Sequence, residues 1–380
     1  MIEPMRDIAS LLLPRPQRLY ATGKEVVVKG TVRLVPTASD AAAVRAATRL
    51  EGALRGAGFD ACLEYGGSKN RRTKGLTVTL AIDSDCFGRR ESYRLRVGPS
   101  DAALLASDEA GLFHGSSTLT QIFALSAAAR DADAHGEPAH GTAARGETIA
   151  LPGLVIRDWP DFPVRGVMLD VSRDKVPTQA TLLALVDMLA GWKINQLQLY
   201  FEHAFAYRNH EAVWQNASPF TGPEIRELDA YCKERHIELV PNQNSLGHME
   251  RWLAHEPYRQ WAECPDGIEL PFSPTRIARC LCPTDPRSLA FLTDLYDQLL
   301  PHFSSRQLNV GLDEAWEVGL GRSEGACRKS SAERVYLDYL RDVHRLLAER
   351  GQTMQFWADI IVHRPELVGE LPDDVIALEW

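Results

Sequence analysis

The chain lacks a long hydrophobic segment, a secretory leader pattern and an extended basic region. No apolar run approaches the roughly 20 residues that cross a bilayer. Residues 1–7 include acidic side chains and precede only a short apolar stretch, which is unlike a signal peptide. The single basic run, residues 69–74, predicts a solvated loop, and the net charge of −9 disfavours nucleic acid or a membrane surface as a partner.

Cysteine is scarce and odd in number, with seven residues scattered from Cys62 to Cys327. Such a set does not form a disulfide framework, and Cys280 and Cys282 lack a second pair at the spacing of a zinc site. We therefore expect reduced thiols, a cytoplasmic protein and no metal or other cofactor.

The length of 380 residues suits two domains, one of them a barrel of about 250 residues. Residues 1–150 alternate strand and helix patterns; for example, residues 40–56 carry apolar side chains at helical spacing before a glycine. Residues 130–150 are rich in alanine, glycine and histidine without periodicity. This part predicts a small α/β domain that ends in a loop or linker.

Residues 151–380 contain six strand-like segments, and helical patterns follow the first four. Repeated strand–helix units predict a parallel sheet with right-handed crossovers, here a (β/α) TIM-type barrel with six of its eight units visible. The six segments are residues 165–172, 194–201, 237–244, 307–314, 354–359 and 375–380.

The fourth segment ends in two neighbouring carboxylates, Asp313 and Glu314, after the alternating apolar residues Leu308, Val310 and Leu312. Side chains of neighbouring residues on a regular strand point to opposite faces. Both carboxylates can therefore serve one site only if the backbone turns where the strand ends.

Polar and aromatic residues stand at the ends of all six segments, where barrels carry their chemistry. Carboxylates, a guanidinium, imidazoles, amides and aromatic rings together suit a sugar, whose hydroxyl groups and C–H faces need such partners. The candidates are Asp170, Arg173, Glu202, His203, Asn242, Asn244, His248, Asp313, Glu314, Trp357, Asp359 and Trp380.

Structural roles compete with this interpretation for individual residues. Asp170 could pair with Arg165 inside the barrel, the two tryptophans could be packing residues, and His203 and His248 could be hydrogen-bonded structural histidines. The convergence of all of them on one barrel mouth favours a site.

Two motifs resemble those of the family-20 glycoside hydrolases, the β-N-acetylhexosaminidases. The first is Arg165-Gly-Val-Met-Leu-Asp-Val-Ser-Arg173, preceded by Asp158-Trp-Pro-Asp-Phe-Pro163, and the second is Asn309-Val-Gly-Leu-Asp-Glu314. They lie about 140 residues apart in the family's order. Residues 1–150 are similar to the small domain that precedes the barrel in that family.

The resemblance implies an exo-acting hydrolase for terminal β-linked N-acetylglucosamine or N-acetylgalactosamine on an oligosaccharide or glycoconjugate. It implies a retaining mechanism in which the 2-acetamido group of the sugar is the nucleophile. By motif position, Glu314 is the general acid and base, and Asp313 holds the acetamido N–H. Arg173 binds sugar hydroxyls, and Trp357 and Trp380 wall the acetamide pocket.

The second and third segments depart from the family pattern. The second reads Leu199-Tyr-Phe-Glu-His203, where many members have a His-rich segment with paired aspartates. The third reads Pro241-Asn-Gln-Asn-Ser-Leu-Gly-His248, which keeps the family's Gly-His but has amides in place of a preceding acid. These variations resemble an intracellular bacterial branch and make Glu202 and His248 the candidates to orient Glu314. Asp170, His203 and Asn244 complete the predicted substrate-binding set.

Two other functions compete with the hydrolase. A metal-dependent hydrolase could use His203, His248 and Asp313, although the first strand lacks a His-x-His pair. A glycan-binding module without catalysis is the second, because six strands leave a barrel open. We expect a truncated copy of a longer enzyme, weakly active or inactive unless another chain supplies the missing strands. The sequence leaves a homodimer open.

Overall fold

The structure, a computed structural model, describes residues 8, 10–38, 40–65, 75–84, 88–135, 148–173, 175–270, 273 and 275–379, but not the side chains of 131–135. Two predictions therefore fall outside the described residues: the basic loop 69–74 and the aromatic wall at Trp380. The chain divides into two compact units, residues 1–165 with 188–193, and residues 166–187 with 194–380.

The first unit is a mixed seven-stranded sheet in the order β1-β7-β5-β6-β4-β2-β3, against which two helices pack. Its elements are β1 (Arg18–Val28), β2 (Val32–Pro36), α1 (Ala41–Gly56), β3 (Ala61–Leu63), β4 (Thr77–Ile82), β5 (Tyr93–Val97), β6 (Asp101–Ala106), α2 (Glu109–His135) and β7 (Ile149–Asp158).

The predicted boundaries of this unit differ from the observed ones at its C-terminal end. Strand β7 pairs with β1 and β5, so the unit continues past residue 150. Helix α2 extends to His135, so residues 130–135 of the expected linker are helical, and residues 136–147 lie outside the described part.

A buried ion pair lies within the first unit. The Nζ atom of Lys193 lies 2.6 Å from Oδ2 of Asp158, and the side chains are only 8% and 9% exposed. The hydroxyl of Tyr93 donates to the same oxygen at 2.9 Å. The core of this unit is otherwise apolar, and Leu34 and Leu95 in it are fully buried.

The second unit contains six parallel strands and the helices between them. Its elements are β8 (Gly166–Asp170), α3 (Gln179–Gly191), β9 (Gln196–Tyr200), α4 (Glu211–Trp214), α5 (Gly222–Lys233), β10 (Glu238–Val240), α6 (Glu250–Leu253), α7 (Glu256–Arg259), α8 (Pro286–Leu299), β11 (Gln307–Asn309), α9 (Glu324–Lys329), α10 (Ala332–Ala348), β12 (Thr353–Trp357), α11 (Asp359–Val362) and β13 (Ile376–Leu378), with 3-10 turns at Leu300–His302 and Pro365–Glu370. The last residues of α3 count with the first unit.

All six predicted strands are present and parallel. They form the ladders β10-β9-β8 and β11-β12-β13, and a parallel bridge between Asn242 and Asn309 joins the two. Eight strands close a TIM-type barrel, and the described residues supply six of them in barrel order.

The helix starts follow from local sequence. Thr221 and Glu224 form a reciprocal capping box at α5, and Asp285 and Ser331 accept backbone N–H groups at the starts of α8 and α10. Such caps satisfy amides that have no intrahelical partner. Each of these helices thus begins directly after a residue whose side chain caps it.

Two further observations concern the helices and the cysteines. Among the helices that the structure describes, none has the length and hydrophobicity that a membrane span requires. The six described cysteines are free thiols.

Candidate active site

A cavity of about 400 Å³ opens at the C-terminal ends of the strands of the second unit. Parallel sheets present their strand ends to ligands at this edge. The lining residues are Met168, Asp170, Arg173, Tyr200, His248, Asp313, Glu314 and Trp357.

The backbone turns directly after β11, and this turn brings both carboxylates to the cavity. The ladder ends at Asn309, earlier than the expected end at residue 314. Gly311, Leu312 and Glu314 then have φ values of 69°, 72° and 50°, in the left-handed region that non-glycine residues rarely adopt. The predicted turn is thus present, and it occupies part of the predicted strand.

His248 lies between the two carboxylates. Its Nε2 atom is 3.1 Å from Oδ2 of Asp313 and 3.2 Å from Oε2 of Glu314. Burial opposes protonation, but the hydrogen bond and charge of Asp313, with the charge of Glu250, raise the pKa of His248 above its ordinary value. The imidazole therefore couples the two acids electrostatically.

Arg279 holds the other side of this group. Its Nη2 atom lies 3.2 Å from Oε2 of Glu314 and 3.1 Å from Nδ1 of His248. Its Nε atom lies 3.7 Å from Oε1 of Glu250, and its side chain is 7% exposed. A buried guanidinium thus fixes Glu314 from the protein side.

Asp313 and Glu314 differ in their remaining contacts. The Oδ1 atom of Asp313 is buried and has no hydrogen-bond partner among the residues described. The backbone N–H of Glu314 donates to Oδ2 of Asp359 at 3.0 Å. Burial and the charge of Asp313 raise the pKa of Asp359. Asp359 therefore anchors the turn, and Asp313 keeps an acceptor free.

Glu202 lies one layer behind the cavity. It is 1% exposed, accepts a hydrogen bond from the Tyr200 hydroxyl at 3.0 Å, and has Oε1 3.6 Å from Nδ1 of His248. Burial, and then the charge of Glu250, raise the pKa of Glu202 to about 7. Asn244 donates to the Tyr200 hydroxyl at 2.7 Å, so Glu202 and Asn244 both act on the cavity through Tyr200.

Asp170 and Arg173 form a pair at the rim. The Nε atom of Arg173 lies 2.5 Å from Oδ2 of Asp170, and the guanidinium also lies over the Tyr200 ring. Burial would raise the pKa of Asp170, but hydrogen bonds from Ser172 and Arg173 lower it. The alternative pairing of Asp170 with Arg165 is wrong, because Arg165 binds Glu91 instead, at 2.5 Å.

The candidates Trp357, Trp380 and His203 differ in where they lie. Trp357 lines the cavity, and Trp380 lies outside the described residues. His203 is buried but does not line the cavity. Burial, followed by the charges of Arg251 and His255, lowers the pKa of His203 to about 4. The Nδ1 atom of His203 is buried without a hydrogen-bond partner among the described residues, so His203 is not the hydrogen-bonded structural histidine that the sequence left open as an alternative.

The sequence analysis missed Met168 and Tyr200, which line the cavity, and Arg279, which binds Glu314. Tyr200 is the last residue of β9, and counting strand ends one position earlier would have found it. Arg279 lies in the irregular segment between α7 and α8, which has no periodic pattern that would point to the cavity.

Glu202, His248 and Glu250 could each offer one metal ligand atom, and these atoms lie within 4.8 Å of one another. The guanidinium of Arg279 already lies against His248 and Glu250. A dication there would face this fixed positive charge. His203, proposed from sequence as a ligand, is not part of the group.

Family models match both units. The model described as glycosyl hydrolase family 20, catalytic domain, matches residues 162–380. The model of domain 2 of the same family matches residues 9–159.

Curated relatives share a modest fraction of the sequence. The chain is 28% identical over 292 residues to a beta-hexosaminidase of Akkermansia muciniphila, covering 70% of this chain and 55% of that protein. It is 26% identical over 333 residues to a beta-N-acetylhexosaminidase of Cellulomonas fimi, covering 82% and 60%. The chain thus spans about half the length of the first relatives it matches.

Solved structures share the fold. A chitobiase of Flavobacterium johnsoniae gives a TM-score of 0.74 at 20% identity, covering 97% of this chain and 55% of that one. A Streptomyces plicatus beta-hexosaminidase variant in complex with its product GlcNAc gives 0.72 at 22% identity, covering 98% and 69%. This likeness shows a TIM-barrel domain preceded by an N-terminal domain.

Proposed function

Because the chain belongs to glycosyl hydrolase family 20, we propose that it is an exo-acting β-N-acetylhexosaminidase that uses the acetamido group of its substrate as the nucleophile. The observation that carries this proposal is the pair of adjacent carboxylates, Asp313 and Glu314, which line one cavity with His248 between them. Neighbouring carboxylates leave no room for an attacking water between them, but they suit one charge stabiliser and one proton donor.

In this mechanism Asp313 acts on the acetamido group. Its buried, unpartnered Oδ1 atom is an acceptor for the acetamido N–H. As the acetamido oxygen attacks the anomeric carbon, positive charge develops on that group, and a carboxylate held in a poorly solvated position stabilises it. His248 on Oδ2 keeps the free oxygen oriented.

Glu314 is the general acid in the first step and the general base in the second. Its carboxyl group is 31% exposed, so water and a leaving group can both reach it. Arg279 and His248 hold one of its oxygens, and Glu202 lies behind His248. We assign orientation of Glu314 to Arg279 and His248 directly, and to Glu202 through His248.

The other lining residues bind the sugar. Arg173, held by Asp170, presents N–H groups to hydroxyl groups at the rim. Trp357 offers an aromatic surface to the acetamide, and Trp380 is proposed as its second wall. Asn244 positions the Tyr200 hydroxyl. Within the predicted substrate-binding set, we assign no role to His203.

The substrate class is a glycan that ends in β-linked N-acetylglucosamine or N-acetylgalactosamine. The free cysteines support a reducing, cytoplasmic location for the protein.

The experiment is release of p-nitrophenol from the β-N-acetylglucosaminide and β-N-acetylgalactosaminide, with the β-glucoside as the control. We expect turnover of at least one N-acetylated substrate and little of the glucoside, which lacks the nucleophile. Rapid turnover of the glucoside would refute participation of the acetamido group. Saturable binding of N-acetylglucosamine without turnover would indicate a glycan-binding module instead.

A further inference from the structure

A second cavity, of about 520 Å³, lies within the first unit and is lined by four arginines. The lining includes Arg18, Arg89, Arg94 and Arg157, and all four side chains are exposed. A volume of this size falls in the range of small-molecule sites. The mechanism of the second unit uses none of these residues.

Sheet register places three of the arginines side by side. Arg18 on β1 is directly opposite Arg157 on β7, and Arg157 is directly opposite Arg94 on β5. Opposed residues on one face of antiparallel strands have Cβ atoms about 4.5–5.5 Å apart, and like charges in that relation are destabilising. The fold therefore concentrates positive charge at one point at some cost to its own stability.

The described residues do not neutralise this charge. Among the residues that the structure describes, no carboxylate forms an ion pair with any of the four arginines. Asp158, the acid among the described lining residues, is occupied on the buried side by Lys193, Tyr93 and the backbone N–H of Gln17.

An aromatic ring holds two of the guanidinium groups. The Cζ atoms of Arg18 and Arg89 lie 5.6 and 5.3 Å from the centroid of the Trp159 ring. Cation–π contacts of this kind position a guanidinium without cancelling its charge. The planar N–H forks thus remain available for an external acceptor.

We propose that this cavity, the arginine cavity, binds the sulfate or phosphate group of a small molecule. Tetrahedral oxyanions accept paired hydrogen bonds from guanidinium forks and would relieve the repulsion along the row. A compact cluster of four arginines in a chain of net charge −9 fits a small ligand rather than a nucleic acid, which needs an extended basic surface. The two sources of this group are the free inorganic anion and an ester on a sugar.

The test uses thermal unfolding of the full chain and calorimetric titration. Sodium sulfate, sodium phosphate, glucose 6-sulfate and glucose 6-phosphate are compared with sodium chloride at matched ionic strength, and with neutral glucose. The glucose esters lack the acetamido group, so they report on the arginine cavity separately from the proposed active site. Failure here leaves the hydrolase proposal untouched.

The variants are R94Q/R157Q and the control R90Q, which removes one exposed arginine charge beside Arg89 but outside the lining. We expect saturable stabilisation of wild type and R90Q, and affinity at least tenfold weaker in R94Q/R157Q. Without any ligand, R94Q/R157Q should melt at a higher temperature than wild type, because the like-charge repulsion is gone. R157K keeps the positive charge but loses the guanidinium fork, so it should also bind the oxyanion more weakly than wild type. R157K replaces R94Q/R157Q in the test if the double variant does not fold.

Sulfate and phosphate also stabilise proteins generally, by exclusion from their surface. An equal, non-saturating response in wild type and R94Q/R157Q would therefore overturn the proposal, as would equal binding by wild type and R157K. Esters that bind at least tenfold more tightly than the inorganic anions would identify a sugar ester as the ligand. Equal binding would identify the free anion.

Discussion

At the residue scale, the surroundings of Asp313 and Glu314 separate their roles. The Asp313 side chain is 11% exposed and carries a free acceptor oxygen, whereas Glu314 is 31% exposed and is held by Arg279. A fixed charge stabiliser benefits from exclusion of water, and a proton donor needs access to the leaving group. The asymmetry supports the assignment of Glu314 as the acid.

E314Q should lose most activity on substrates with poor leaving groups, because p-nitrophenolate needs little protonation. In D313N the loss should not depend on the leaving group, because the positive charge that develops on the acetamido group needs the Asp313 carboxylate with every substrate. We expect D313N to lose about 2–4 kcal/mol of barrier stabilisation, roughly 30- to 1000-fold, on both substrate types. The measurement is kcat/KM on p-nitrophenyl and alkyl N-acetylglucosaminides. Equal losses for E314Q on both would remove Glu314 as the acid.

Glu202 should make stability depend on pH. Its folded pKa of about 7 lies above the ordinary value of 4.5, so its contribution is complete below about pH 4.5 and is lost as pH rises through 7. A glutamine at this position does not titrate, so its contribution to stability does not change with pH. We expect E202Q to be more stable than wild type at pH 8, by up to about 3 kcal/mol at 1.36 kcal/mol per pKa unit, and equal to it near pH 4.

Urea unfolding at several pH values measures this difference. Burial also raises the pKa of Glu317 to about 7. Glu317 is present in both wild type and E202Q and makes the stability of both depend on pH in the same way. The difference in stability between the two proteins therefore reports on Glu202 alone. E269Q, at a highly exposed position, should show no such trend. Destabilisation of E202Q at pH 8 would mean that the carboxylate is stabilised by His248 more than it is penalised by burial.

At the scale of elements, the turn after β11 depends on Gly311. Its φ is 69°, and a Cβ atom there would lie 2.4 Å from Oδ1 of Asn244. Gly351 has a similar φ of 65° with open space around it, which makes it the matched control. G351A should lose about 1–2 kcal/mol of stability through backbone strain alone.

G311A should lose more stability than G351A, roughly 2–4 kcal/mol, and should also reduce kcat, because the clash displaces Asp313 and Glu314. Unfolding by urea and turnover of the p-nitrophenyl substrate measure the two effects. Equal stability losses, with kcat unchanged in both variants, would show that the turn tolerates a side chain at Gly311.

The strands and capped helices could be predicted because each has a local signal: alternating apolar residues, or a cap such as Thr221 before Pro223. The end of β11 could not, because the apolar alternation continues through Leu312 although the backbone has already turned. Strand β7 pairs with β1 across more than a hundred residues, and no local pattern encodes that pairing. Arg279 could not be predicted as a site residue either, because it reaches the site from an irregular loop that has no periodic pattern.

At the scale of the whole molecule, the first unit takes six residues, 188–193, from beyond β8. Lys193 among them neutralises the buried Asp158. Removal of one partner leaves a buried charge uncompensated, so K193M should lose about 3–5 kcal/mol of stability. Thermal and urea unfolding measure the loss, and K329M, at an exposed position, is the control.

The double variant K193M/D158N distinguishes charge from packing. It should recover part of the loss, because it removes the uncompensated carboxylate. A double variant no more stable than K193M would show that Lys193 contributes through packing of its alkyl chain.

The first unit is built from two separate segments of the chain, and this affects how it folds during synthesis on the ribosome. The sheet is complete once β7 has left the exit tunnel, yet Asp158 must wait for Lys193, which emerges only after β8 and α3. Until then the nascent chain holds a buried carboxylate without its cation, a state that costs several kcal/mol. We therefore expect the first unit to mature late in synthesis rather than domain by domain. A stalled nascent chain with β7 but not Lys193 outside the exit tunnel should be cut by proteases more readily than a longer one with Lys193 also outside.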